Sequence, residues 1–191
     1  MTENSHQTGL AGYELMQIIR LSTWINAPIE RCFQLATSID LHRASAAATE
    51  EKAIDGVTTG LIAEGQTVQW RGRHFGRNVT HTSKIDGWRP YQYFHETMVE
   101  GWFLRFEHEH HFALMDDGTR MRDEVRFVAP YKLAEVVVRR RLLNMLKQRN
   151  LYLKQVAESE EWRRYLGRPG VAAPSAARDV AMSPQWGKLR A

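Results

Sequence analysis

The segment Phe106-Glu107-His108-Glu109-His110-His111-Phe112 carries the densest chemistry in the sequence. Read as a β-strand, it places Phe106, His108, His110 and Phe112 on one face. Two large aromatics predict that this face turns inward, so that His108 and His110 line an interior. Imidazoles at i and i+2 converge on one side. They can serve as general acids and bases, as anchors for a ligand, or as two ligands of a metal whose third would come from His81, His95, Glu96 or Asp123. The plainer alternative is a polar network at a pocket rim. No resident metal and no cofactor is expected.

Asp123 is the second unusual residue. On a strand it shares a face with Met121, Val125 and Phe127, while Arg120, Arg122, Glu124 and Arg126 take the other. A carboxylate on an apolar face is costly unless it is paired. The turn at Asp116-Asp117-Gly118 brings Asp123 back beside His110 and Phe112. The expected partners are His110 or Arg149, the latter standing where the stripe Leu142–Leu146–Leu153 would otherwise put a hydrophobe. Such a contact either pins helix to sheet or anchors a ligand head group. Glu96 lies between Phe94 and Met98 and becomes a pocket carboxylate if that face points inward; the opposite register turns Tyr93, His95 and Thr97 inward, and the sequence leaves both open. Trp70 and His74 share a face with Val68 as pocket wall or core. The candidate acid–base groups are therefore Glu96, His108, His110 and Asp123. The candidate ligand contacts are these four together with Trp70, His74, Phe94, Phe106, Phe112, Leu142, Leu146 and Arg149. Cys32, next to Phe33 and without an activating base, is expected to be a buried, inert thiol.

The elements that must position these residues follow from hydrophobic period and turn chemistry. Residues 14–26 read as a strand. Asn26-Ala27-Pro28 then predicts a helix over 28–37, with Asn26 as a cap and Pro28 in the first turn. A second short helix is expected from Ser38, followed by a glycine-punctuated loop with short extended pieces. Strands are predicted over 67–75, 77–87, 91–100, 103–115 and 119–127, with connections short enough to require antiparallel pairing. Residues 131–166 read as one long helix, broken near its end, with an apolar stripe of Ala134, Val138, Leu142, Met145, Leu146, Leu153 and Val156. Trp88, Trp102 and Trp162 are expected in loops or at a rim. Residues 1–12 read as a flexible leader, 13–166 as one folded domain, and 167–191 as a disordered Ala/Pro-rich tail. The fold class is α+β, a curved antiparallel sheet wrapped around a long C-terminal helix, with two short helices after the first strand and a pocket in the space the helix does not fill.

Composition narrows the function classes. The 191 residues are 43% hydrophobic and 25% charged, with one cysteine, which excludes an internal disulfide framework and a multi-cysteine zinc site. No apolar run reaches a membrane span, and the leader lacks a secretory pattern, so a cytoplasmic protein is expected. Nucleophile-elbow, phosphate-loop, dinucleotide and HExxH motifs are absent, as is the cysteine–histidine spacing of a Rieske cluster. The charge is uneven. Residues 131–168 hold ten Lys/Arg against four Glu, a net +6, where the whole chain is +4, leaving the remainder at −2. This basic helix admits a peripheral membrane contact or a macromolecular partner, but its simplest reading is a solvated outer face, and no nucleic acid is expected.

The order of elements with Ile25-Asn26-Ala27-Pro28, Arg73-His74-Phe75-Gly76, residues 90–96, Gly101–Phe112 (GWFLRFEHEHHF) and Gly118–Phe127 (GTRMRDEVRF) followed by Pro130 resembles the START/Bet v 1-like superfamily, also called SRPBCC or helix-grip. It looks closest to the bacterial polyketide cyclase/dehydrase-like branch. The resemblance covers about residues 14–160. It implies that a hydrophobic small molecule or lipid binds between the sheet and the C-terminal helix. Its alternatives are a cyclase/dehydratase-type enzyme that uses the His, Asp and Glu groups above, and an interaction protein acting through the basic helix. A fold alone does not choose among these.

Overall fold

A computed structural model of the chain describes residues 16–74, 76–131 and 135–167. The leader, the tail, Ala134 and Phe75 lie outside the described residues, as does the side chain of His74. Among the described residues, twelve elements in chain order build a single seven-stranded sheet with helices on its concave face. They begin with β1 (Gln17–Ile25), α1 (Ile29–Ala36) and α2 (Ile39–Ser45), then a 3-10 turn (Ala47–Thr49) and β2 (Lys52–Gly56). Strands β3 (Thr67–His74), β4 (Arg77–Arg89), β5 (Tyr93–Glu100), β6 (Arg105–Met115) and β7 (Gly118–Val128) follow as a meander, then α3 (Glu135–Glu158) and α4 (Trp162–Leu166). The sheet order is β1-β7-β6-β5-β4-β3-β2, every pair antiparallel, so β1 closes onto β7 and the two short helices carry the chain across to β2. This is the α+β helix-grip architecture expected from the sequence.

The sheet curves because its ladders are interrupted. Register shifts lie between Thr82 and Ser83 and between Ile85 and Gly87 on β4, and between Ala53 and Asp55 on β2. An extra residue bends its strand and increases local twist. At the second β4 shift the extra residue, Asp86, turns outward and accepts hydrogen bonds from His95 Nδ1 at 2.6 Å and Thr97 Oγ1 at 2.7 Å. That places His95 and Thr97 on the convex face and Phe94, Glu96 and Met98 on the concave one, resolving the alternative left open by the sequence.

The apolar core has two parts. One gathers α1, α2 and the C-terminal half of α3, through Leu153, Val156 and Ala157, around Ile25, Val68, Trp70, Ile85, Phe94, Phe112 and Met121. Phe33 of α1 is its keystone, edge-on to Trp88, Tyr91, Phe94 and Phe112 with ring centroids 4.9–5.7 Å apart. The other packs Val138, Leu142, Leu143 and Leu146 of α3 against Ile19, Val125, Phe127, Phe103 and Phe106.

Two local expectations change. Asn26 does not cap α1; Pro28 holds the cap position without a side-chain bond, and the Asn26 N–H instead donates to Glu158 Oε1 at 2.7 Å, tying the β1–α1 junction to the end of α3. Trp88 stands on β4 against Phe33 rather than in a loop. Gly118 closes the two-residue turn of the β6–β7 hairpin without a positive φ. Its need is space, since a Cβ there would sit 2.3 Å from the carbonyl oxygen of Ile25. Gly118→Ala is therefore expected to cost about 1–3 kcal/mol by overpacking against backbone, read as a lowered urea midpoint at unchanged slope. An unchanged midpoint would mean that the β1–α1 junction yields freely.

Ser38 caps α2 as its position suggested, its Oγ accepting from the Leu41 N–H at 3.2 Å. Among the described residues no helix is long and apolar enough to cross a membrane.

Candidate functional site: a cavity with an ionised floor

The register of the meander assembles the candidate residues. On neighbouring antiparallel strands, directly opposed residues bring their Cβ atoms within about 4.5–5.5 Å. Glu96 of β5 is opposite His108 of β6, and His110 of β6 is opposite both Phe94 of β5 and Asp123 of β7. Two hairpin registers thus place Glu96, His108, His110 and Asp123 in one patch of the concave face.

The patch is a connected network. His108 Nε2 donates to Asp123 Oδ1 at 2.9 Å, and His108 Nδ1 faces Glu96 Oε1 at 3.4 Å, so one imidazole bridges two carboxylates. His110 Nδ1 is also 2.9 Å from Asp123 Oδ1 but lies off the direction of a hydrogen bond and remains unsatisfied. The ring of His110 is held in place by stacking between Phe94 and His108, at centroid distances of 4.0 and 3.7 Å. From α3, Asn150 Nδ2 donates to Asp123 Oδ2 at 2.7 Å and lies 3.2 Å from Thr23 Oγ1 of β1. Arg149 Nη1 stands back at 3.7 Å from Asp123 Oδ1, while Nη2 donates to the Ala36 carbonyl at 3.4 Å. Asp123 is 1% exposed, His110 1% and His108 4%, whereas the Glu96 side chain keeps 24%.

Burial sets the charge states, and the pairings override it where they are strong. Burial opposes a charge on His108, but its contacts with Asp123 and Glu96 outweigh that and raise its pKa. Burial likewise opposes ionised Glu96, yet the hydrogen bond and charge of His108 hold its carboxyl well below the usual carboxylate range. Asp123 is held low in the same way by its two histidines. His110 is pushed down to about 3, by burial first and then by the neighbouring charge on His108. The floor and the layer behind it therefore join two carboxylates held low, the His108 imidazole whose proton they favour, the Arg149 guanidinium and the His110 imidazole driven toward its neutral form.

Above this floor lies a cavity of about 500 Å³ between the sheet and the N-terminal half of α3. Its walls are Met98, Phe103, Phe106, Val125, Leu142 and Leu146, among others, and its floor is Glu96, His108 and Arg149. The sequence candidates thus divide. Glu96, Phe106, His108, Leu142, Leu146 and Arg149 face the cavity. His110 and Asp123 sit behind its floor. Trp70, Phe94 and Phe112 belong to the core around α1, Trp70 stacked on His42 at 4.2 Å.

Sequence reasoning missed Asn150, the closest helix partner of Asp123, in favour of Arg149 one position earlier. Its polarity inside the apolar stripe of α3 was the available sign. It also missed His42 of α2 and Arg77 of β4, which line the cavity together with His81, named from the sequence only as a possible metal ligand. These come from segments distant in sequence whose approach depends on the curvature of the sheet. Cys32 is buried as expected, and burial pushes its thiol up to about 11.

No family model and no curated protein matches the sequence. Solved structures do. A protein of Thermus thermophilus superposes with a TM-score of 0.60 at 18% identity, over 75% of this chain and 100% of its own. Major latex-like protein 151 of Panax ginseng gives 0.57 at 12% identity, over 76% and 99%. An aromatase/cyclase of Streptomyces sp. R1128 gives 0.56 at 15% identity, over 83% and 99%. The chain shares its helix-grip fold with these three structures.

Proposed function

We propose that the protein binds a hydrophobic small molecule in the cavity between the sheet and α3, its polar end on the Glu96–His108–Arg149 floor. One observation carries this reading. The cavity is about 500 Å³, with apolar walls from Met98, Phe103, Phe106, Val125, Leu142 and Leu146, and polar groups at the Glu96–His108–Arg149 floor and along the side lined by His42, Arg77 and His81. Small-molecule sites of roughly 300–1,000 Å³ share this design, in which apolar walls supply affinity and a few polar groups fix orientation. The likeness of the fold to a major latex-like protein and an aromatase/cyclase supports it.

Native mass spectrometry of freshly purified protein tests the proposal. The expected spectrum shows an added mass of a few hundred daltons that leaves on denaturation, or uptake of an apolar fluorescent probe by protein that arrives bare. Met145→Trp, which fills the wall from α3, should weaken probe binding at least about tenfold, or ~1.4 kcal/mol. Bare protein that takes up no probe, or a probe indifferent to Met145→Trp, overturns the reading.

A cyclase/dehydratase-type enzyme is the second reading, favoured by a specific contact. Glu96 and His108 are 3.4 Å apart and both face the cavity, so a bound hydroxyl or acidic C–H would lie within reach of a base and an acid held together. Turnover of a poly-β-keto type substrate, lost in Glu96→Gln with ligand binding retained, would move the protein to that class. A cytoplasmic location accords with either reading.

A further inference from the structure

We propose that Glu96, His108 and His110 form a divalent transition-metal site on the cavity floor. Each offers a donor atom, and the three donors lie within 4.8 Å of one another. The Glu96 Oε1–His108 Nδ1 separation is 3.4 Å. That is long for a charge-assisted hydrogen bond, yet two ligand atoms about 2.0–2.1 Å from a tetrahedral Zn²⁺ stand about 3.3 Å apart. A cation between them takes the place of the proton that His108 now holds toward Glu96.

One further feature points the same way. Asp123 occupies the position of an orienting carboxylate. Its Oδ1 lies 2.9 Å from a nitrogen of each histidine, and its Oδ2 is fixed by Asn150. Histidines that bind metal commonly hold a carboxylate with the nitrogen turned away from the ion, which sets ring orientation and raises basicity. Two imidazoles and one carboxylate suit Zn²⁺, Fe²⁺ or Co²⁺ rather than Mg²⁺ or Ca²⁺. The three ligands come from two adjacent strands below an apolar cavity, so the remaining coordination positions open toward whatever that cavity holds. A ligand oxygen, carbonyl or phenolic, is the donor that would complete the sphere.

The test uses the untagged full chain, stripped with chelator and titrated with Co²⁺ and Zn²⁺. One equivalent of Co²⁺ should bind and give the visible absorption of a low-symmetry site, and Zn²⁺ should displace it. Glu96→Gln, conservative and partly exposed in the cavity, should weaken binding about 100-fold with the fold intact by circular dichroism. Asp123→Asn should weaken it about 10–100-fold, as expected when an orienting partner of a metal-bound histidine is lost. Failure of the wild type to bind either ion stoichiometrically overturns the proposal, as does Co²⁺ binding with an absorption spectrum unchanged by Glu96→Gln. Because the titration needs no organic ligand, it can fail while the hydrophobic-ligand reading survives, and the converse holds.

Discussion

Asp123→Ala should lower folding stability by about 3–5 kcal/mol, the cost of removing one partner from a buried charged network. Asp123 is 1% exposed and holds together three elements: β6 through His108, α3 through Asn150, and its own strand β7. Without it, His108 is left with Glu96, Asn150 Nδ2 loses its 2.7 Å acceptor, and Arg149 loses the carboxylate 3.7 Å away. His108 and Asn150 stay buried, so for them the loss is a desolvation penalty with no compensating solvent. Denaturant unfolding followed by tryptophan fluorescence measures the change. A cost under about 1 kcal/mol would mean that water enters and solvates the patch, and that the sheet and α3 are joined by their apolar contacts alone. A double-mutant cycle between Asp123 and Asn150 separates that pair from the histidines and should return a coupling of about 0.5–3 kcal/mol. The same cycle with Arg149 should return less, because its guanidinium is 3.7 Å away and shares its hydrogen bonding with the Ala36 carbonyl.

Phe33→Ala should cost about 3–5 kcal/mol, as for large aromatic deletions in cores. Its ring is the contact between α1 and four aromatics drawn from β4, β5, β6 and the β4–β5 turn. That turn includes Tyr91 at φ 62°, a conformation ordinarily left to glycine and held here by packing on Phe33. Removing the ring deletes edge-to-face contacts and also releases the restraint on a strained residue. Phe33→Leu should recover more than half of the loss if volume dominates. Recovery below a third would assign the larger share to ring geometry. The unfolding midpoint by far-ultraviolet circular dichroism reads both variants.

The fold was legible in the sequence because its determinants are local. Alternation in residues 105–128 and the Asp116-Asp117-Gly118 turn specify β6, β7 and their register, and with the register comes the His110–Asp123 pair. The inward face of β5 was not legible, because Glu96 and His95 are both polar and only the outward Asp86 at the β4 bulge decides between them. Nor was the division between cavity and core. Trp70, Phe94 and Phe112 have the same character as Phe106, and what separates them is that α1 covers Phe94 and Phe112 while His42 of α2 covers Trp70. Asn150 was overlooked for a similar reason. Helical spacing allows either Arg149 or Asn150 to meet the sheet, and the choice rests on how α3 is rotated by its seat on β1.

The two halves of α3 have different duties. From Asn150 onward the helix is fastened by Asp123, by core residues Leu153, Val156 and Ala157, by the Arg31–Ala157 and Lys154–Trp24 bonds to backbone carbonyls, and by Glu158 at the β1–α1 junction. From Val138 to Leu146 its inward residues meet the cavity. Substitutions at Leu142, Met145 or Leu146 reshape the chamber while the fastenings of the C-terminal half are untouched. Selection, or a designer, can thus retune which molecule is accepted by editing a few positions on one half-helix. The inheritance of the fold is secured by the other half.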